Sequence, residues 1–267
     1  MANVSEYGVR RFGRANWLGV WTLIKRENMR YLAIWQQTIF APLVTAGLFL
    51  LVFSVAIGPD RADVMGFRYV AFLAPGLLMM TVIQNSFANT SSSMLSAKVM
   101  GSIVDTLMPP LSPMEMTLGF LAGGIGRGLM IGLVLLLAMG ITLGVWPAHL
   151  LWTMVFVLMG GMFMGALGLL GGIFAYKFDQ MAAISNFVVT PLAFLSGTFY
   201  SITALPEILQ PITRANPMFY IIDGGRFGVL GVSDSDPWTA LVVITVANIF
   251  AVSLVWVWFS RGYRLKS

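Results

Sequence analysis

Six stretches of this chain run for about 20 residues or more with almost no charge, at 34–57, 69–94, 117–143, 150–175, 181–200 and 238–259. A bilayer core about 30 Å thick takes roughly 20 apolar residues to cross as a helix, so each stretch has the length and composition of a span. Composition excludes the soluble alternative: 58% of residues are hydrophobic and 10% charged, against roughly 25% charged in an average soluble domain. In lipid every backbone amide and carbonyl must be satisfied within the chain, which a helix does locally. The expected fold is an all-α polytopic membrane protein with six transmembrane helices. Residues 1–33 form a cytoplasmic N-terminus and 34–267 the membrane domain, with an inner segment at 95–116 and an outer one at 201–237.

The formal charge of +5 reports orientation here, not a nucleic-acid partner. With the N-terminus inside, Arg10, Arg11, Arg14, Lys25, Arg26, Arg30, Lys98, Lys177, Arg261, Arg264 and Lys266 are cytoplasmic, and only Arg61, Arg68, Arg214 and Arg226 lie outside. Cytoplasmic loops carry the excess of Lys and Arg, so both termini are expected in the cytoplasm. The short apolar run 17–24 ends in Lys25-Arg26-Glu27 and has no small-x-small cleavage site, which is not the pattern of a signal peptide. Residues 16–29 put Trp17, Val20, Trp21 and Ile24 on one helical face. Two arrangements are open to this helix: flat in the cytoplasmic interface, or prolonging the first span inward.

Cysteine is absent, which excludes disulfides, thiolate metal sites and cysteine nucleophiles. The lone His149, beside Trp146 and Trp152, cannot build a zinc site and suits an interfacial anchor. None of the four lysines follows a glycine, so the chain has no Gly-Lys-Ser/Thr phosphate loop and no ATP motor of its own. The eleven acidic residues fall in loops, span ends or the outer segment. Ion-coupled carriers usually place carboxylates at membrane depth, so an ion-driven transporter or channel is the weaker reading. A polytopic transferase is weaker still, because no set of polar catalytic groups converges at one interface.

One charge lies well inside a span, Arg127, where both a functional role and a structural, snorkelling one are open. Around it Gly124, Gly128 and Gly132 recur every four residues, and Gly161, Gly165, Gly168 and Gly172 line the fourth span, as close helix packing in lipid requires. The outer segment is too apolar for a solvated loop, and each half is too short to cross. Two short re-entrant helices fit it, turning at Asn216-Pro217.

Phe194-Leu195-Ser196-Gly197-Thr198-Phe199-Tyr200, followed by Leu205-Pro206, Asn216-Pro217 and Asp223-Gly224-Gly225-Arg226, resembles the last-loop signature of the ABC-2 type permeases. Leu73-Ala74-Pro75-Gly76-Leu77 and Met108-Pro109-Pro110-Leu111-Ser112-Pro113 add to the likeness, which covers nearly the whole chain and leans towards the YadH-like inner-membrane permeases. The resemblance implies a multi-pass protein of the bacterial inner membrane. It would be the permease subunit of an ATP-binding-cassette exporter, moving an amphiphilic or lipid-like substrate or a drug outward. Its partners would be a second copy of itself, two copies of a separate ATPase and the membrane lipid. It would not be an enzyme and would bind no cofactor, ATP and magnesium residing on the ATPase. Residues 16–29 would be a connecting helix and 97–107 a coupling helix that docks on the ATPase through Lys98, Gly101, Asp105 and Leu107. Family members often show Gly-Thr-Leu-Glu there, whereas this chain reads Gly101-Ser102-Ile103-Val104-Asp105, so the acid is spaced differently. The first, second and fifth spans would wall the path. Phe199, Tyr200, Pro206, Asn216, Pro217, Phe219, Tyr220 and Arg226 would form an outer gate, with interfacial anchoring the other role open to the aromatics.

Overall fold

A computed structural model describes residues 15–56 and 63–264, and among them the regular structure is helical, with no strand. Helix α1 spans Trp17–Leu32; a π-helical turn, Gln36–Phe40, leads into α2, Ala41–Ala56. Then come α3 (Tyr69–Val99), the short α4 (Ile103–Leu107), α5 (Pro113–Leu143) and α6 (Leu150–Phe174). Helices α7 (Phe178–Ile184) and α8 (Thr190–Phe194) are joined by a second π-helical turn, Ser185–Val189. The chain closes with α9 (Gln210–Ala215), α10 (Pro217–Leu230) and α11 (Pro237–Ser260). Among the described residues five helices are long and apolar enough to cross a membrane: 36–55, α3, α5, α6 and α11.

The boundaries follow local chemistry. Helix α5 starts at Pro113, four residues before the expected 117, because Ser112 and Glu115 form a capping box and Pro113 fills the first helical position, where no amide is needed. It stops at Gly144, whose φ of +68° ends the helix in the left-handed region. Asn216-Pro217 and Asp236-Pro237 open α10 and α11 in the same way, each with a side chain capping the first turn. The expected fifth span is the largest correction. Residues 178–194 are helical in pieces of seven, five and five residues, and the helix ends at Phe194, not at residue 200, because the backbone turns through Leu195, Ser196 and Gly197 at φ +76°. Both π-helical turns end two residues before a proline, Pro42 and Pro191. A helical proline clashes with the carbonyl four residues back, and widening the preceding turn relieves it.

Helix α3 is the centre of the bundle, wedged between α5 and α6. The two glycine faces seat it: a Cβ on Gly128 would strike the Ser86 hydroxyl, and one on Gly168 would strike Thr90 and the Phe87 carbonyl. These stripes therefore pack within the chain, with Thr90 Oγ1 donating to the Gly165 carbonyl at 2.8 Å. Helix α10 runs antiparallel beside α6, with Gly228 against Thr153, Gly224 against Phe156 and Gly160 against Ile221. At 1.5 Å per residue the last contact lies about 15 Å along α6 from Leu150.

Helix α1 packs against α5. It climbs along α5, with Leu23 at Gly119, Glu27 at Gly123 and Tyr31 near Gly126. Its buried stripe is Val20, Leu23, Glu27 and Tyr31, while Trp17 and Trp21 face outward, so the expected apolar face is divided. Glu27 is a correction as well: this carboxylate is 1% exposed beside the interior of α5. It is tolerated there because Arg26 and Arg30 pair with it at 3.1 and 3.4 Å. Arg10, Arg11, Arg14, Arg61 and Lys266, used in the orientation argument, lie outside the described residues.

Candidate functional site

At one end of the bundle α3 runs on to Val99, so Ala97 and Lys98 of the expected coupling segment belong to that long helix and the rest of the segment holds the short α4. Gly101, at φ +74°, supplies the reversal between them in a conformation that side chains other than glycine rarely adopt. Helix α4 buries Ile103 and Thr106 and rests Leu107 against the core, while Val104, Asp105 and Met108 point away from the protein. Arg26 holds this helix to α1, its Nη1 donating to Thr106 Oγ1 at 2.9 Å. Glu115 ties the following turn to the start of α1, accepting from the Asn16 and Ser112 amides at 2.6 Å each. Between them lies an apolar groove of about 330 Å³ lined by Leu18, Leu23, Pro109, Pro110 and Leu111, with Asp105 on its rim.

Lys98 is placed differently from the surface position the sequence suggested. It is 5% exposed, and its Nζ donates to the last carbonyls of α6 and the residue after it: Gly172 at 3.3 Å, Ile173 at 2.6 Å and Ala175 at 2.8 Å. An ammonium against unpaired carbonyls at a helix C-terminus is held by both hydrogen bonding and the helix dipole. Lys98 therefore locks the ends of two long helices together and offers no charge to a partner.

In the middle of the bundle Arg30 reaches Asn89 Oδ1 at 2.9 Å, its carbonyl at 2.7 Å and Ser92 Oγ at 3.3 Å. Arg127 donates to Asn85 Oδ1 at 2.7 Å. Both arginines thus meet the same polar side of α3, which sequence alone did not connect.

At the opposite end of the bundle Arg226 is fully buried. Its guanidinium lies 3.5 Å from Asp223 and 3.8 Å from Asp234, donates to the Gly197 carbonyl and stacks over the Phe72 ring at 4.1 Å. Asp223 also accepts from the Asp234 amide at 2.9 Å, the Ser235 amide at 2.8 Å and the Ser235 hydroxyl at 2.6 Å. Asp234 in turn accepts from the Ser201 hydroxyl and the Ile202 amide. A buried guanidinium is sustained only by such compensation. The cluster fastens α10, the loop after it, the turn after α8 and the outer part of α3 into one cap.

The expected gate aromatics are not one group. Phe199 stacks on Phe194 and meets Phe53 and Phe49 at a tilt, at ring centroids 5.2, 5.6 and 6.1 Å away, and its carbonyl accepts from Tyr69. Phe219 is buried and packs edge-on against Tyr220, the Tyr200 ring is half-buried, and Pro206 is exposed. Asn216 is the joint. It caps α10 at Met218 and donates back to Ser196 at 2.8 Å and to the Leu192 carbonyl at 3.0 Å. Asp223, Asp234 and Glu115 take their places only through the fold, although Ser112-x-x-Glu115 before an apolar run is a readable cap signal.

Among the described residues, five apolar helices long enough to cross a bilayer, with the few charges among them paired or hydrogen-bonded inside the bundle, make the molecule a multi-pass membrane protein. The chain belongs to the ABC-2 type transporter family, whose profile matches residues 19–230. It is 34% identical over 255 residues to the inner membrane transport permease YadH of Escherichia coli K12, covering 94% of this chain and 98% of that one. It is 23% identical over 220 residues to nodulation protein J of Rhizobium meliloti, covering 81% and 82%. Membership and the YadH likeness place the chain among inner-membrane transport permeases.

Proposed function

We propose that this chain is the membrane subunit of an ATP-binding-cassette exporter, working as a dimer with two copies of a separate ATPase that bind ATP and magnesium. The observation that carries the reading is the inner rim. There a short helix is held from behind by Arg26 and its own buried face while presenting Val104, Asp105 and Met108 outward. ATP can bias a permease only through contacts that differ between its two states, and α4 is the element placed to make them. Its ties to α1 and to the start of α5 carry a push on it into the bundle. Gly101 supplies the turn and Leu107 the foothold, with Lys98 holding α3 to α6 behind them.

Six crossings, with 178–194 as the fifth, fit the charge distribution. Five would leave Arg261 and Arg264 on the side opposite Lys25 and Arg26, against the positive-inside rule. A widened, loosely packed helix of this length crosses by tilting little or by thinning the bilayer locally. Helix α10, reaching about 15 Å along α6, suits a re-entrant element of the outer leaflet, and the turn at Gly197–Tyr200 suits the outer gate. Helix α2 leaves Leu48, Leu51, Val52 and Val55 exposed, a face for lipid and the second copy.

The test is to purify the tagged chain with the P-loop ATPase encoded beside it and reconstitute the complex. A two-to-two assembly whose ATP hydrolysis is uncoupled from export by Asp105→Ala supports the reading. Full export in that variant, or export with no ATPase present, refutes it.

A further inference from the structure

We infer that the transport path runs along a polar stripe on α3 and admits a substrate carrying an anionic group and hydroxyl or other acceptor oxygens. This rests on the exporter reading and names its substrate class. Thr81, Asn85, Ala88, Ser92 and Ser96 recur at helical spacing on one face of α3, with Gln84 beside them, and each is exposed or only partly buried. The rest of the helix at this level is enclosed, with Leu78, Val82, Ile83 and Phe87 all buried.

Lipid-facing surfaces of the same chain look different. Helix α11 exposes Val242, Val246, Ile249 and Phe250. Thr81, Asn85 and Ser92 bond carbonyls of their own helix at 2.7, 2.9 and 3.0 Å, yet a row this long with Gln84 beside it suits protein or water better than hydrocarbon. The stripe begins one turn below the place where the outer cap crosses α3, at Gly76 under the Thr198 carbonyl, and ends at the inner rim. It therefore spans the interval a substrate must travel.

Charge sets the class. Arg30 and Arg127 both contact the stripe. Glu27 balances Arg30, whereas Arg127 pairs with no carboxylate among the described residues, its partner being the neutral Asn85. Arg127 Nε has no acceptor, and Asn89 Nδ2, also without one, faces Gly123 of α5 and not the stripe. An uncompensated cation with surplus donors complements a phosphate or carboxylate with neighbouring oxygens, on a soluble molecule or on a lipid headgroup. A wholly apolar drug would leave the Arg127 charge without a counter-charge.

The chain has no cysteine, so single cysteines report directly. Gln84→Cys and Ser92→Cys, with Thr81→Cys should either fail to fold, are exposed in membranes to a membrane-impermeant anionic methanethiosulfonate and to its cationic counterpart. Val246→Cys serves as the lipid-facing control and Asp63→Cys, exposed in the loop before α3, as the solvent reference. The expected result is labelling along the stripe and not at the control. The anionic-to-cationic rate ratio should exceed the reference by about tenfold and fall back on adding Arg127→Gln, the bias one nearby charge exerts in a partly wet site. Protection of Gln84→Cys by excess glycerol 3-phosphate marks a soluble substrate, and protection by phosphatidylglycerol but not phosphatidylcholine marks a headgroup. Failure of both overturns the class. Absence of labelling overturns the path: with disulfides between copies the stripe is a dry interface, and without them it faces lipid. Loss of the ATPase partner would defeat the exporter reading while leaving this labelling pattern untouched.

Discussion

Replacing Lys98 by methionine keeps the aliphatic stem and removes only the ammonium, which isolates the clamp between α3 and α6. Three carbonyls lose their donor, at 2.6, 2.8 and 3.3 Å. A hydrogen bond from a charged group contributes about 1.5–3 kcal/mol, and a cation at a partly buried helix C-terminus up to about 2 kcal/mol. Against this stands the cost of burying the ammonium, several kcal/mol, which the methionine escapes. The balance for Lys98→Met is a loss of about 2–4 kcal/mol, since the carbonyls stay buried without a donor. Equilibrium unfolding in mixed micelles, followed by tryptophan fluorescence, measures it. Asp105→Ala is the paired control. This side chain is exposed, and surface substitutions of that kind stay within about 0.5 kcal/mol, so its effect should appear in coupling and not in unfolding. A Lys98→Met protein as stable as the parent, within about 0.5 kcal/mol, would refute the clamp and return Lys98 to the docking surface.

Arg226→Met should cost about 3–5 kcal/mol, because two carboxylates would be left facing each other in a buried site; collapse of the monodisperse peak in size-exclusion chromatography reports it. Gly128→Leu should destabilise the bundle by several kcal/mol through overlap with Ser86, whereas Gly47→Ala, with nothing within 4 Å, should be neutral in the same unfolding assay. Glu115→Ala should cost about 1–3 kcal/mol by unpairing two amides at the foot of α5, and faster hydrogen exchange at Asn16 and Ser112 would locate the loss.

Hydropathy makes the long helices legible because each residue of α3, α5, α6 and α11 contributes to a signal summed over some 20 positions. Ends were less legible where a cap or a turn outweighed hydropathy. The Ser112 and Glu115 cap lengthened α5, and the left-handed Gly197 cut the 178–194 helix short before two aromatic residues that read as part of it. Asn216-Pro217 was readable, since its capping chemistry is local. What could not be read is which distant residues meet. Lys98 looked like a loop cation because nothing in its neighbourhood announces that α6 ends against it. Asp223 and Arg226 are three apart on one helix and suggest a pair, but only the fold brings in Asp234, the Gly197 carbonyl and the Phe72 ring. Glu27 was misplaced for the same reason, its surroundings being supplied by Arg30 and by the groove at Gly123.

The two π-helical turns divide the labour of movement within the bundle. Helix α3 carries a proline too, Pro75, but it is gripped on both sides by α5 and α6. The helical runs interrupted at Gln36–Phe40 and Ser185–Val189 are the compliant staves, with little of their surface held inside the chain and their hydrogen-bond ladder already loosened next to Pro42 and Pro191. A stroke of the proposed exporter that widened the molecule would be absorbed first at these two proline-adjacent joints.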